Sequence, residues 1–339
     1  MLISVVIAAH DRPELLREAV ASVAEQTYGQ YEVVVVDDGS SPPLESAPLE
    51  LLVGDRLVFL RHEMARGISG AKNAGIGAAH GEIVLFLDDD DLLFPHALQT
   101  IQAAFAGHPG LNCLFMGVEP FGPYAEGPSR NRCKALERLF ERAQPKELDG
   151  LLFFSEHLFG ELIGRVPIDF QRPAARRSAW DMVGGLDERA LFAEPSWAVR
   201  AAAVCTVALT VSTLTRWRIH GRNFGWPPGL TAIEVATRNL RNSLLMAEGL
   251  ERAFRSGGDE RSRRRHRLIV KHLAAQHLAM ARHLRVERVG AGFSHLARAL
   301  RLDASAVNLR AAFAYLFPPG WLASIRRLRG KGASSATGA

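Results

Sequence analysis

Residues 83–95, IVLFLDDDDLLFP, constrain this chain more than any other stretch, because four consecutive aspartates, Asp88 to Asp91, follow directly on an apolar run of strand length. Like charges held side by side repel one another and raise each other's pKa, so a fold gains no stability from them unless they are neutralised. Two arrangements remain. The run spreads into water as the first turn of a helix, or a cation neutralises it at the end of a buried strand.

Three further runs read as strands: LISVVIAA from Leu2, YEVVVVDD from Tyr31 and RLVFLRH from Arg56. Their near-continuous apolar character suits strands covered on both faces. Between the first two, Leu15, Leu16, Ala19, Val20 and Val23 recur at helical spacing, and Asp11, Pro13 and Glu14 form a helix-start signal. SGAKNAGIGAAH and PHALQTIQAAF supply two more helices. Strand and helix in alternation predict an α/β fold with a mostly parallel sheet flanked by helices. In such sheets ligands bind beyond the carboxyl ends of the strands. AAHDR after the first strand, Asp37 and Asp38 after the second, and the aspartate run after the strand at 83–87 should therefore meet at one edge.

The rest of the chain divides by composition. Residues 120–175 are irregular, rich in Gly, Pro and aromatics, and read as an insertion beside that edge. After Pro228, helical stretches rich in Ala, Leu, Arg and His run to about Leu328, and residues 329–339 read as a disordered tail. The expected organisation is an α/β domain at 1–228 with a basic helical appendage at 229–328.

Of the 339 residues, 47% are hydrophobic, enough for a sizeable core. Cys113, Cys133 and Cys205 lack C-x-x-C spacing, which argues against a disulfide framework or a zinc site and for a reducing, cytoplasmic setting. The first ten residues meet charge too soon for a signal peptide, and AAAVCTVALTVSTL from Ala201 is too short for a spanning helix. Charge is unevenly spread: residues 1–110 carry six Lys/Arg against sixteen Asp/Glu, and residues 251–339 carry eighteen against five. An acidic half suits a metal, and a basic half suits an anionic surface. RSRRRHR at 261–267 reads first as a solvated helix face and second as a peripheral contact with anionic lipid at the inner face of a membrane. No aromatic platform accompanies it, so nucleic acid is not an expected partner.

Four segments in order, SVVIAAHDRPELLREAVASVAEQTYGQYEVVVVDDGSS, GISGAKNAGIGAAHGEIVLFLDDDD, VGGLDE and WRIHGRN, resemble the family 2 glycosyltransferases of the GT-A fold. The resemblance implies a Rossmann-like sheet, a nucleotide-sugar donor with a UDP-sugar as the default, a hydroxyl acceptor of unknown identity, inversion, and Mn²⁺ or Mg²⁺ as cofactor. It places the Asp-x-Asp motif on Asp88 and Asp90. Asp90 would hold the metal and Asp88 or Asp89 the ribose or a metal-bound water. A hard cation among carboxylates is also how a diphosphate is commonly held. The resemblance further puts Ala8, His10, Arg12, Asp38 and Lys72 beside the donor, with Asp38 toward the base, and His220 on the metal.

Each residue also has a plainer reading. Asp37 and Asp38 could be turn formers, Lys72 a solvated surface lysine, and His220 structural. GISGAKNAG is not a phosphate loop of the G-x-x-x-x-G-K-[ST] type. Where the family has a catalytic Asp, GGLDERALFAEPSWAVR offers Glu194, with Asp187 and Glu188 as alternates and a helix-capping role as the plainer reading. Two rival functions stand beside transfer: a non-catalytic nucleotide-sugar-binding relative and a nucleotidyltransferase.

Overall fold

The computed structural model describes residues 1–221, 223, 230–255, 258–284 and 289–316. Two compact units divide the chain at Thr231, Met1–Thr231 and Ala232–Ala339. The expected boundary at 228 and the expected tail at 329–339 lie outside the described residues.

In the first unit the chain runs β1 (Ile3–Ala9), α1 (Pro13–Ala24), β2 (Tyr31–Asp38), α2 (Ala47–Val53), β3 (Leu57–His62), α3 (Ile68–Ala78), β4 (Ile83–Phe86), β5 (Leu92–Leu93), α4 (Ala97–Gly107) and β6 (Cys113–Phe121). It continues through α5 (Glu126–Ala143), β7 (Lys146–Leu148), β8 (Leu151–Phe153), α6 (His157–Leu162), β9 (Pro173–Arg176), α7 (Arg177–Val183), α8 (Glu194–Val204) and β10 (Val207–Arg218). Among the described residues these strands form one ten-stranded sheet in the order β3-β2-β1-β4-β9-β6-β10-β8-β7, with β5 paired to β10.

The β-branched runs form the parallel part of this sheet. Ile3, Val5, Val6 and Ile7 of β1 and the whole of β2 are buried, as both-face coverage requires. Helix α1 lays Leu16, Ala19, Val20 and Val23 on the core. Its start differs from expectation: Arg12 is the N-cap without a side-chain capping bond, and Asp11, at φ 54°, accepts the backbone N–H of Ser41 instead. Helix α3 approaches β1 so closely that a Cβ on Gly75 would lie 2.3 Å from Cγ1 of Val6. Only glycine fits there.

The segment expected to be irregular contains real structure. Helix α5 spans Glu126–Ala143 and buries Ala135, Leu139 and Ala143, a four-residue repeat set among charged neighbours. Asp169, fully buried, accepts the Val118 backbone N–H at 3.0 Å and both Nε and Nη2 of Arg132, which ties α5 to β6. The chain then returns as β9, antiparallel to both β4 and β6 between which it lies. The sheet is thus parallel through β3-β2-β1-β4 and in the β6–β10 pair, and antiparallel where the insertion joins it.

The second unit is helical: α9 (Ala232–Phe254), α10 (Glu260–Leu284), α11 (Val289–Leu302) and α12 (Ala306–Leu316). Leu278, Ala281, Leu296, Ala299, Ala312 and Tyr315 form a small core of its own. No described helix is long and apolar enough to cross a membrane.

Candidate active site

Strand β1 has β2 on one side and β4 on the other, so the chain reverses its direction of winding at β1/β4. A crevice opens at the carboxyl ends of strands at such a switch point. Here β1 ends in His10, Asp11 and Arg12, β2 in Asp38, and β4 in the aspartate run. Asp89, Asp90 and Asp91 are 7%, 8% and 0% exposed, so the run is not a solvated helix turn.

Cations from four segments converge on it. Arg12 Nη1 lies 3.1 Å from Oδ1 of Asp89 and 3.1 Å from Oδ2 of Asp90. Lys72, in α3, donates to Asp88 at 2.7 Å. Arg172, immediately before β9, grips Asp91 through Nε and Nη2 and reaches Asp88 at 3.3 Å. Arg218, at the end of β10, gives its backbone N–H to Asp91 and its Nε to the carbonyl of Asp90. The carboxyls respond unequally. Burial raises the Asp88 carboxyl, but Lys72 and Arg172 outweigh it and bring it down to about 2. Burial and the neighbouring Asp90 push Asp89 up to about 7. Burial also pushes Asp91 up to about 7, against Arg172 and helped by Asp88 and Asp90.

Lys72 is 2% exposed, which rules out a solvated surface lysine. Its ammonium also donates to Oε1 of Glu194 at 2.5 Å. Burial pulls its pKa down, yet Asp88 and Glu194 together hold it above the ordinary lysine value. Glu194 opens α8 but makes no capping hydrogen bond, and is itself buried. The alternates are engaged elsewhere. Asp187 binds Arg189, and Glu188 accepts from Asn73 and Arg66; each is held below the usual carboxylate range chiefly by those bonds, from Arg189 and Asn73 respectively.

At the β2 end, Asp37 is wholly buried and accepts the backbone N–H groups of Ser40 and Leu44 and the Arg61 guanidinium. It is a turn former. Asp38 accepts the backbone N–H groups of Arg66 and Gly67, each at 2.8 Å, and lies 2.8 Å from Nδ1 of His62. It therefore fixes the loop before α3. Exposed His10 sets Nδ1 2.8 Å from the carbonyl of Asp38, joining the ends of β1 and β2. Ala8 is half-buried within β1, opposite Val36, and offers only backbone and a methyl group.

His220, beyond β10, brings Nε2 to 3.2 Å from Oδ2 of Asp90. Two ligands on adjacent corners of an octahedron with bonds near 2.1 Å stand about 3 Å apart, so this oxygen and nitrogen fit one divalent ion. Among the described residues no group of three or more His, Cys, Asp or Glu could hold an ion by itself. The two donors instead match the pattern in which one or two protein ligands bind Mg²⁺ and substrate phosphates complete its shell. Bound there, an ion would reverse the upward pressure on the neighbouring carboxyls.

Sequence reasoning missed Arg172 and Arg218. Arg172 sits in no local pattern, Arg218 lies within WRIHGRN but was not singled out there, and the strand pairing of β9 and β10 carries both to the run.

The family model described as Glycosyl transferase family 2 matches residues 4–160, which span β1, β2, α3 and the aspartate run. Over those residues the chain is similar to the family 2 glycosyltransferases. It is 38% identical over 117 residues to the GalNAc(5)-diNAcBac-PP-undecaprenol beta-1,3-glucosyltransferase of Campylobacter jejuni, covering 33% of this chain and 38% of that protein. It is 32% identical over 98 residues to the UDP-Glc:alpha-D-GlcNAc-diphosphoundecaprenol beta-1,3-glucosyltransferase WfgD of Escherichia coli, 29% of this chain and 38% of that one. The match thus spans little more than a third of each of these relatives. Among solved structures, Staphylococcus aureus TarS 1-349 superposes with a TM-score of 0.57 at 16% identity, over 93% of this chain and 88% of that one. The mannosyltransferase PcManGT of Pyrobaculum calidifontis, in complex with GDP-Man and Mn²⁺, gives 0.54 at 17% identity, over 94% and 81%. At these identities the likeness shows a shared fold and extends no further.

Proposed function

We propose that this domain transfers a sugar from a nucleoside-diphosphate donor, a UDP-sugar in the first instance, to an acceptor hydroxyl with inversion, in the synthesis of a cell-surface glycan or glycoconjugate. The observation that carries the reading is the convergence of Asp88–Asp91, Lys72, Glu194 and His220 at the β1/β4 switch point. The reactions named for the relatives support it: UDP-Glc as donor in WfgD, and diphosphoundecaprenol-linked acceptors in both glucosyltransferases.

In this reading Ala8, His10 and Asp38 border the base, and Asp88 and Asp89 lie toward the ribose. Mn²⁺ or Mg²⁺ held by Asp90 and His220 would supply the positive charge that stabilises the leaving diphosphate. Lys72 and Arg12 bring further positive charge toward the phosphates. The acceptor oxygen bonds to the anomeric carbon as the bond to the diphosphate breaks. The nucleoside diphosphate leaves with the electron pair, and the acceptor's proton passes to Glu194. Peripheral docking at the inner face of a membrane through the basic helices belongs to the same reading, since Arg261, Arg263, Arg264 and Arg267 of α10 are exposed.

One observation favours the binding-only alternative: the Lys72 ammonium already occupies an oxygen of Glu194, and a base must have an oxygen to offer. Turnover decides between them. The full chain with Mn²⁺, a panel of UDP- and GDP-sugars and hydroxyl acceptors should release nucleoside diphosphate and form product. Glu194→Gln should lower turnover about 10²-fold or more while donor affinity holds. Near wild-type turnover in that variant moves the base elsewhere, donor binding without turnover in the wild type supports the binding-only relative, and pyrophosphate release supports a nucleotidyltransferase.

A further inference from the structure

One cation near the aspartate run is not neutralised. Arg216 and Arg218 stand two residues apart on β10, so their side chains share one face of the sheet, about 7 Å apart along the strand. Both guanidinium groups lie on the ring of Phe121, at the end of β6, with Cζ 4.4 Å and 4.8 Å from its centroid. Arg218 is fully engaged, since it donates to the carbonyl of Asp90 and to Glu18. Arg216 is not. It is half-buried, and among the described residues no carboxylate or carbonyl accepts from it. Glu119, its neighbour across β6, is exposed and forms no ion pair with it. The Phe121 ring attracts a cation weakly and leaves the N–H donors unmet. A guanidinium so placed suits an anion from outside the chain, and its planar fork suits a phosphate.

An open aromatic ring stands nearby. Tyr124, in the turn between β6 and α5, is 63% exposed, and its ring lies against Gly221, where a Cβ would stand 3.2 Å from Cε2. Gly221 follows His220. The turn is held there by its own glycine: Gly122, at φ 103°, passes so close to Ile219 that a Cβ would lie 2.7 Å from that residue's carbonyl oxygen. An aromatic face offered to solvent suits the C–H groups of a sugar ring. Sheet order separates this patch from the residues that border the nucleotide. Those come from β1 and β2, on one side of β4, whereas Phe121, Tyr124 and Arg216 come from β6, the turn after it and β10, on the other.

We propose that Phe121, Tyr124 and Arg216 form an acceptor subsite, and that the acceptor is a sugar bearing a phosphate ester, its ring resting on Tyr124 and its phosphate on Arg216. The proposal rests on the glycosyl-transfer reading above and names the substrate class of that site. A neutral glycan would leave Arg216 without a partner.

The test is steady-state kinetics of the full chain with Mn²⁺, a panel of UDP- and GDP-sugars and matched acceptors: octyl glycosides of glucose, GlcNAc and GalNAc, and the same sugars joined to octanol through a diphosphate. The diphosphate members should be used with a KM about tenfold or more below that of their matched glycosides. Arg216→Gln should bring that ratio toward one. Arg216→Lys keeps the charge without the fork and should lie between, which keeps the proposal testable if the glutamine variant folds poorly. Tyr124→Ala should raise KM severalfold for both members of a pair and keep the ratio, because the ring meets the sugar they share. Equal KM within the pairs in the wild type, or an unchanged ratio in Arg216→Gln, overturns the proposal. So does a rise in the donor's KM in Arg216→Gln with the acceptor ratio intact, which assigns the guanidinium to the donor. No turnover of any acceptor overturns it too; UDP or GDP binding by the same chain then leaves the nucleotide-sugar reading standing, and no binding removes both.

Discussion

Replacing Lys72 with Met removes one buried ammonium from between two buried carboxylates while keeping most of the side-chain volume. At an effective dielectric constant of 20, an ion pair at 2.7 Å, the Lys72–Asp88 distance, is worth about 6 kcal/mol before desolvation. Desolvation of each partner offsets much of that gain, so the pair adds little net stability as it stands. Removing one partner is another matter, because the carboxylates stay buried. Asp88 keeps Arg172 at 3.3 Å, whereas Glu194, 6% exposed, loses the ammonium against which it rests. Breaking such a buried pair costs about 3–5 kcal/mol. For a unit of this size that corresponds to a fall in Tm of about 10 °C. Tryptophan fluorescence is a suitable probe, since Trp180, Trp197, Trp217 and Trp226 belong to the first unit and only Trp321 to the second. Trp180 of α7 and Trp197 of α8 set their ring centroids 4.1 Å apart and report on the packing of α8 directly. Glu194→Gln should cost less, about 1–2 kcal/mol, because Lys72 retains Asp88 and the amide oxygen still accepts. The double variant should lose at least 1 kcal/mol less than the sum of the two. A loss below 1 kcal/mol in Lys72→Met, or strict additivity in the double variant, would refute the view that this ammonium holds the site together.

Asp90→Asn should leave the fold intact and sharply weaken Mn²⁺-dependent nucleotide binding, as one ligand charge is lost without change of shape; unchanged metal-dependent affinity in calorimetry counts against Asp90 as a ligand. In the second unit, His277 Nδ1 lies 2.9 Å from Nδ1 of His295, and burial, with His295 and Arg298, pushes the His277 pKa down to about 4 from 6.5. The neutral ring is therefore the folded form, so its contribution is complete above about pH 6.5 and is lost as pH falls toward 4, by roughly 3 kcal/mol at most. Helix content followed by circular dichroism should show that loss in the wild type and a shallower one in His277→Gln; equal slopes would remove the histidine pair as its cause. Vesicles containing acidic lipids should bind the full chain in a salt-sensitive way, and Arg264→Glu with Arg267→Glu should weaken that binding. Equal binding to neutral vesicles would point to apolar contact instead.

The parallel half of the domain was legible because its signals are local. Continuous β-branched runs with acids at their ends specify both the strands and the edge where those acids meet, and β1, β2, β3 and β4 all form where the runs lie. The insertion was not legible for the same reason. The helical repeat Ala135, Leu139, Ala143 in α5 is sparse among charges, and β9 is four residues of ordinary composition whose place between β4 and β6 is decided by tertiary pairing. Arg172 follows from that placement, so no local reading could have assigned it to the site. Lys72 and Glu194 were each singled out separately. Their ion pair joins residues 122 positions apart, and a pattern in one stretch of chain cannot reveal it.

The span of the contacts around the aspartate run also bears on how the chain acquires its structure. Its cations lie 16 residues away at Lys72, 77 at Arg12, 81 at Arg172 and 127 at Arg218. Contacts of such high sequence separation close large loops and slow folding. During synthesis from the N-terminus, Arg12 and Lys72 precede the aspartates, whereas Arg172 and Arg218 emerge long after them. Until β9 and β10 arrive, Asp91 has neither the guanidinium nor the backbone N–H that hold it in the finished domain. The parallel strands can assemble early on their own apolar faces, but the acidic edge closes only when the last strand of the sheet has been made.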